Sequence, residues 1–295
     1  MEGKTIRNPS EEEIKNLQRK DATVAKPKSK NKVKNINKEN MFEPEAVEFD
    51  LPSGSLIIPG GKIKVRRMTT VEEGIFQETV SRMFQGSSDA LNTSAFFDSL
   101  NRAIDNCIKS DVSIYELSLI DKIPLFVFIS AKTYGDKHDL ELSCPVCGDS
   151  SEFNIDLSKL DTKIVPEDIE YPKEIELTSF DFPVKMLIQY PVIGDEAIWT
   201  DDIMRPVEQF LSLVYSAEGE LPDGTKIDEE HYIQIVENLN SDDKKIIKEW
   251  MNDFSQYGTN AYVNKKVCNN KECEKYKKIQ RVAIPIENIF IKVFV

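Results

Sequence analysis

Histidine is scarce in this chain: His138 and His231 are the only two in 295 residues. That scarcity excludes metal centres built on several imidazoles, and it leaves no Ser–His–Asp or Cys–His pairing that the spacing supports. Walker loops, GxGxxG, GxSxG and HExxH are all missing, so no nucleotide-binding, α/β-hydrolase or zinc-protease signature is present. Long hydrophobic runs are missing too. The longest, Ile123 to Ile129, falls far short of the roughly 20 residues a membrane-spanning helix needs and suits a buried element. Met1-Glu2-Gly3-Lys4 opens a polar stretch with no signal-peptide core. Five cysteines are too few, and too unevenly spaced, for a secreted disulfide scaffold. The expectation is a non-enzymatic protein made in a reducing cytoplasm, without a small-molecule substrate.

Four of the five cysteines stand in two tight pairs. The first is Cys144-Pro145-Val146-Cys147-Gly148 and the second is Cys268-Asn269-Asn270-Lys271-Glu272-Cys273. Both spacings fit a knuckle with two inward-facing thiols, and four thiolates suit a structural zinc ion in tetrahedral coordination. Gly148 lets the chain turn back directly after the second thiol. On its own the first pair also has the spacing of a redox dithiol. One shared zinc, two disulfides and free thiols are the alternatives, and a structural Zn2+ held by Cys144, Cys147, Cys268 and Cys273 is the expectation. About 120 residues separate the pairs, so a shared metal requires the chain to leave and return. His138, close to the first pair, is the alternative ligand. His231 falls in a helical run and reads as a surface residue. The fifth cysteine, Cys107, lies in an apolar stripe and reads as a core thiol.

The net charge of −13 conceals an asymmetry. Residues 1–40 hold eleven Lys/Arg against six Asp/Glu, with no apolar period. Low hydrophobicity and high charge cannot offset ordering entropy, so this stretch reads as a disordered arm, with a short helix from a Ser10–Glu13 capping box available on binding. The rest is acidic, which favours solubility and basic protein partners and disfavours nucleic acid except through the arm. Residues 195–257 concentrate sixteen Asp/Glu against five Lys/Arg. The paired acids Asp201-Asp202 and Asp242-Asp243 stand ahead of amphipathic runs and read as helix-start residues.

Along the chain, Val47–Leu51 alternates as a strand, and Ser55–Ile58 with Lys62–Arg67 reads as a hairpin around Pro59-Gly60-Gly61. Thr70 with Glu73, and Ser113 with Glu116, read as capping boxes. Helical stripes follow over Val71–Phe84 and Phe96–Ile108. Asp121 to Tyr134-Gly135 reads as a buried helix with Pro124 in its first turn. Asp139–Ser143 and Phe153–Leu157 read as strands into and out of the first knuckle. Glu174–Leu177 and Val184–Tyr190 form a second hairpin. Three helical stripes follow, Val207–Tyr215, Tyr232–Leu239 and Ile246–Phe254, the last starting at a Ser241 cap. Ala261–Val267 leads into the second knuckle, Arg281–Ile286 leaves it, and the apolar end, Ile289–Val295, reads as docked. The expected fold class is α+β: an N-terminal hairpin plus helices, a zinc-ribbon-like β module closed by two distant Cys knuckles, and an acidic helical insertion between them. The expected division is a disordered basic arm over 1–40, a hairpin and helical domain over 41–138, the β module over 139–194 with 259–295, and the insertion over 195–258.

Leu51-Pro52-Ser53-Gly54, a hairpin, Arg66 or Arg67 before a helix, Asp121, Tyr134-Gly135 and Cys144-Pro145-Val146-Cys147-Gly148 occur in this order. The pattern resembles the baseplate hub assembly and hub-component family of T-even-like contractile-tail phages, over roughly residues 50 to 160. The basic arm and the acidic helices have no counterpart in that pattern. The resemblance implies a structural or chaperone-like protein of tail morphogenesis. Its partners would be other tail and baseplate hub proteins, and its places the host cytoplasm during assembly and the virion tail baseplate. The competing reading is a zinc-ribbon transcription accessory protein that uses its knuckles and lysine arm on nucleic acid; a hydrolase with an unrecognised site is a third.

Overall fold

A computed structural model describes residues 43–75, 93–196, 206–284 and 289. The arm over 1–40, Asp201-Asp202, the run 76–92 and all of 285–295 except Ile289 lie outside the described residues. The architecture is mixed α and β, with small sheets.

Strand β1 (Val47–Asp50) pairs antiparallel with β2 (Lys62–Val65), Val47 opposite Val65 and Asp50 opposite Lys62. The expected strand over Ser55–Ile58 is instead part of a long connection with a 3-10 turn at Gly54–Leu56. The reason is local: Gly61 donates to the Ile58 carbonyl at 2.9 Å and Leu51 to the Gly61 carbonyl at 2.8 Å, so the chain closes before a second strand can form. After β2 a helical segment begins at residue 70. Its cap is Thr69 with Glu72, one residue earlier than expected: the Thr69 amide and hydroxyl donate to Glu72 Oε2 at 2.8 and 2.7 Å. Register decides this, because Glu72 also receives both arms of the buried Arg66 guanidinium, at 2.9 and 3.1 Å.

Helix α1 (Thr93–Cys107) buries Leu100, Ile104 and Cys107. The Ser113–Glu116 capping box is present and opens a 3-10 turn at Ile114–Glu116. Helix α2 (Leu119–Tyr134) is the expected buried helix, begun two residues early and ended at Gly135. Pro124 therefore lies inside it and has no N–H to give the Ile120 carbonyl. Asp121, on the first turn of α2, is fully buried and accepts from the Ser53 amide and hydroxyl at 2.8 and 2.7 Å. Lys122 beside it is buried against Glu196. The β1–β2 connection is thus bolted to α2.

Strands β3 (Lys137–Ser143) and β4 (Ser150–Asp156) form an antiparallel hairpin whose tip is the first cysteine pair. A short β5 (Thr162–Lys163) follows. Then β6 (Lys173–Leu177) and β7 (Val184–Ile188) make the second expected hairpin. Helix α3 (Pro206–Leu213) is shorter than its stripe, because Val214 and Tyr215 belong to β8 (Val214–Gly219), which adds antiparallel to β7. The i, i+3, i+4 spacing matched a helix, but β7 offers an open edge whose backbone groups need partners, and Val-Tyr suits a strand. The region between the knuckles is accordingly not wholly helical. Helices α4 (Tyr232–Glu237) and α5 (Ser241–Phe254) pack with α3 on this three-stranded sheet in one apolar cluster, joining Ile175, Met186, Ile188, Phe210, Ile235 and Ile247. The α5 cap is Asn240, whose side chain accepts from Asp242 and Asp243, and not Ser241.

A small aromatic cluster around Phe254 follows, with Tyr171, Tyr190, Trp250 and Tyr257. It packs on Ile120 of α2. The chain then returns through β9 (Gly258–Thr259), paired with β5. Gly258, at φ +84°, lies against the Ile120 carbonyl that Pro124 leaves without a helical donor; a Cβ there would stand 2.5 Å from that oxygen. Strands β10 (Tyr262–Lys265) and β11 (Gln280–Ala283) form the last hairpin, with the second cysteine pair between them. Val267, Val282 and Ile284 join a larger apolar cluster that also holds Ile63, Ile104, Phe126, Leu140, Leu142 and Ile155.

Candidate metal centre

Two antiparallel hairpins present the cysteines. Each is a separate two-stranded ladder, and they meet at their tips rather than in one sheet. In the first knuckle the Gly148 amide donates to the Cys144 carbonyl at 2.9 Å and the Cys144 amide to the Asp149 carbonyl at 2.8 Å. Gly148, at φ +73°, takes the left-handed position that the turn requires. In the second, the Lys277 amide donates to the Cys268 carbonyl at 3.0 Å, and Lys277 itself sits at φ 52°. Side chains tie the knuckles together. The Asn269 amide donates to Asp149 Oδ2 at 2.6 Å, Asn269 Nδ2 to Ser151 Oγ at 2.9 Å, and Ser151 Oγ to the Val267 carbonyl at 3.1 Å.

The four Sγ atoms of Cys144, Cys147, Cys268 and Cys273 all lie within 4.8 Å of one another, and Cys147 and Cys268 are 3.6 Å apart. Zinc–sulfur bonds of roughly 2.3 Å in a tetrahedron place sulfurs about 3.8 Å apart. The cluster therefore has the size of a four-thiolate site. All four are free thiols. Cys144 and Cys268 are buried, Cys147 is exposed and Cys273 is half-buried.

Cys144, Cys268 and Cys273 do not titrate independently of their neighbours. Desolvation pushes the Cys144 thiol up, but the amide hydrogens of Cys147 and Val146, then the Cys147 and Cys268 thiols, more than offset it and bring it to about 7. Burial, then the Cys147 thiol, pushes Cys268 up to about 12. At Cys273 the Lys275 amide hydrogen favours the thiolate, yet desolvation and the Cys147 thiol leave it raised. One proton leaves easily and the resulting charge opposes the next. A cation among the sulfurs removes that opposition. Four thiolates also fill a tetrahedral shell, so such a site has no open position for substrate.

The structure separates the other candidates from this cluster. His138 lies at the far end of β3, buried, with Nε2 2.9 Å from the Gly135 carbonyl; it is not a ligand of the group. His231 ends a 3-10 turn capped by Asp228, its Nδ1 2.6 Å from Asp228 Oδ1. Cys107 is a core thiol, its Sγ 3.5 Å from the Ala103 carbonyl and its pKa pushed up to about 12 by burial. Asp243 is more than a helix-start acid: fully buried, it accepts from the backbone and hydroxyls of Thr178 and Ser179. The spacing of the cysteines gave no sign of Asp149, Ser151, Asn269 or Gln280, the polar residues that surround the site.

No helix among the described residues is long and apolar enough to cross a membrane. Compared with known protein families, residues 45–282 match the family model described as T4 bacteriophage base plate protein. No curated protein and no solved structure gives a match.

Proposed function

The chain belongs to the T4 bacteriophage base plate protein family, matched over residues 45–282, and from that premise we propose that it is a non-catalytic structural or assembly protein of the baseplate hub, holding other tail proteins in place. The observation that carries the mechanism is the four-thiol cluster. One structural zinc there would pin the β3–β4 hairpin to the β10–β11 hairpin, about 120 residues further on. A metal that closes so long a loop stabilises the folded state by making folding and binding one event. Cys144, Cys147, Cys268 and Cys273 would hold the ion and supply no further chemistry.

Residues 195–253 are the proposed docking side, since their acids steer a basic partner and raise its association rate. The alternative, a nucleic-acid-binding zinc ribbon, is disfavoured by the acidic body. The test is a mass-spectrometric inventory of finished particles and of stalled tail intermediates. Co-purification with baseplate proteins in either preparation is expected. Absence from both, or binding to naked DNA with a steep salt dependence, would overturn the reading.

A further inference from the structure

Gln280 opens β11 opposite Lys265 and is buried, with 7% of its surface exposed. Its amide oxygen stands 3.4 Å from the Sγ of Cys144, where it accepts from the neutral thiol. Its amide nitrogen, also buried, has no hydrogen-bond partner among the described residues. A buried amide that engages only a weak S–H donor and wastes both N–H groups is badly matched to its surroundings. The mismatch at the sulfur is relieved under one condition. When Cys144 is an ionised ligand it has no proton to give, and a half-turn of the amide exchanges oxygen for nitrogen at the same place. The N–H then points at a thiolate sulfur, which is an acceptor only.

The site already offers such donors: the Val146 and Cys147 amides act on Cys144, and the Lys275 amide lies 3.4 Å from Cys273 Sγ. Among the described residues, the Gln280 side-chain amide is positioned to add to them at Cys144. We propose that Gln280 is a positioning residue of the metal centre, donating its amide N–H to the Cys144 thiolate and so holding that ligand and drawing off part of its charge. This inference rests on the metal reading above. Outer hydrogen bonds of this kind typically change metal retention ten- to a hundred-fold.

The test uses the full chain loaded with Co2+ alone. Wild type should show the visible bands of tetrahedral cobalt and a thiolate-to-cobalt charge-transfer band. Gln280→Leu keeps the size of the side chain and removes the donor. It should keep the tetrahedral bands, move the charge-transfer band to longer wavelength, and lose metal to a chelator about tenfold faster or more. Gln280→Glu, which places a carboxylate against the sulfur, should lose metal faster still. Because a variant can fail to fold, wild type loaded with cadmium gives an independent reading: nuclear magnetic resonance should find scalar coupling between the metal and a Gln280 side-chain amide proton. An unshifted charge-transfer band with unchanged chelator kinetics in Gln280→Leu would overturn the proposal, as would absence of that coupling. A wild-type chain that takes up no cobalt would instead remove the metal reading, and this inference with it.

Discussion

Glu72→Gln isolates one buried ion pair. Glu72 is 3% exposed, and its carboxylate receives Arg66 at 2.9 and 3.1 Å and Thr69 at 2.8 and 2.7 Å. Burial alone would raise its pKa, but the hydrogen bonds of Arg66, then those of Thr69, bring it from 4.5 down to about 2. A drop of that size corresponds to about 3 kcal/mol of preference for the ionised form. Glutamine keeps the volume and one acceptor oxygen, but takes the charge from beside a guanidinium that is itself only 6% exposed. Removing one partner of a buried pair costs on the order of 3–5 kcal/mol.

The pH dependence follows from the direction of the shift. A carboxylate with a lowered folded-state pKa contributes stability that is present above its unfolded value and lost as pH falls toward 2. Urea unfolding of both proteins at pH 7 should therefore differ by about 3–4 kcal/mol, and the gap should narrow steadily below pH 4.5 as wild type loses what the variant never had. A difference under about 1 kcal/mol at pH 7, or one that is the same at pH 3 and pH 7, would refute the assignment.

Substitutions at Asp121, Asp243 and Gly258 probe other joints. Asp121 is the opposite case: burial raises its carboxyl to about 6, so its contribution falls as pH rises from about 4 to 6, and Asp121→Asn should unfold within about 1 kcal/mol of wild type at pH 7 or above it, while Asp121→Ala is clearly destabilised. Burial would raise Asp243 as well, but the hydroxyl of Ser179 and then the amide of Thr178 leave it lowered; Asp243→Asn turns an N–H2 toward those donors and should cost about 2–3 kcal/mol in denaturant unfolding at neutral pH. Gly258→Ala combines a left-handed backbone position with a carbonyl 2.5 Å away, and calorimetry should show a loss of about 3 kcal/mol or more, with no comparable loss at the open Gly60.

The features legible in the sequence are those whose signal is local. Cysteine spacing brought out all four thiols, since a knuckle needs both its ligands within a few residues. Alternation found β3, β4, β6 and β7, and an apolar run closed by Tyr134-Gly135 found α2. What escaped depends on distant partners. Val214 and Tyr215 satisfy a helical spacing, and only the open edge of β7 makes them a strand. Thr70–Glu73 and Thr69–Glu72 are equally good capping boxes on paper; Arg66 chooses between them. Asp243 looks like any acid at a helix start until Thr178, 65 residues away, is seen to donate to it. Ser53 and Asp121, both within the pattern that resembles the phage hub family, turn out to bond to each other across 68 residues. Gln280 gave no signal at all, because an isolated glutamine at the start of a strand is ordinary until the sulfur of Cys144 is seen 3.4 Å away.

Native mass spectrometry of the 295-residue chain, purified without chelator, decides whether a single zinc joins two knuckles far apart in the sequence. One zinc per chain is expected in wild type, with Cys144, Cys147, Cys268 and Cys273 protected together from alkylation. Cys147→Ser and Cys273→Ser, one in each knuckle, should each lose the metal and destabilise the same unfolding transition. Full zinc occupancy in Cys273→Ser, or a wild-type chain without metal whose four thiols alkylate freely, would contradict the shared site.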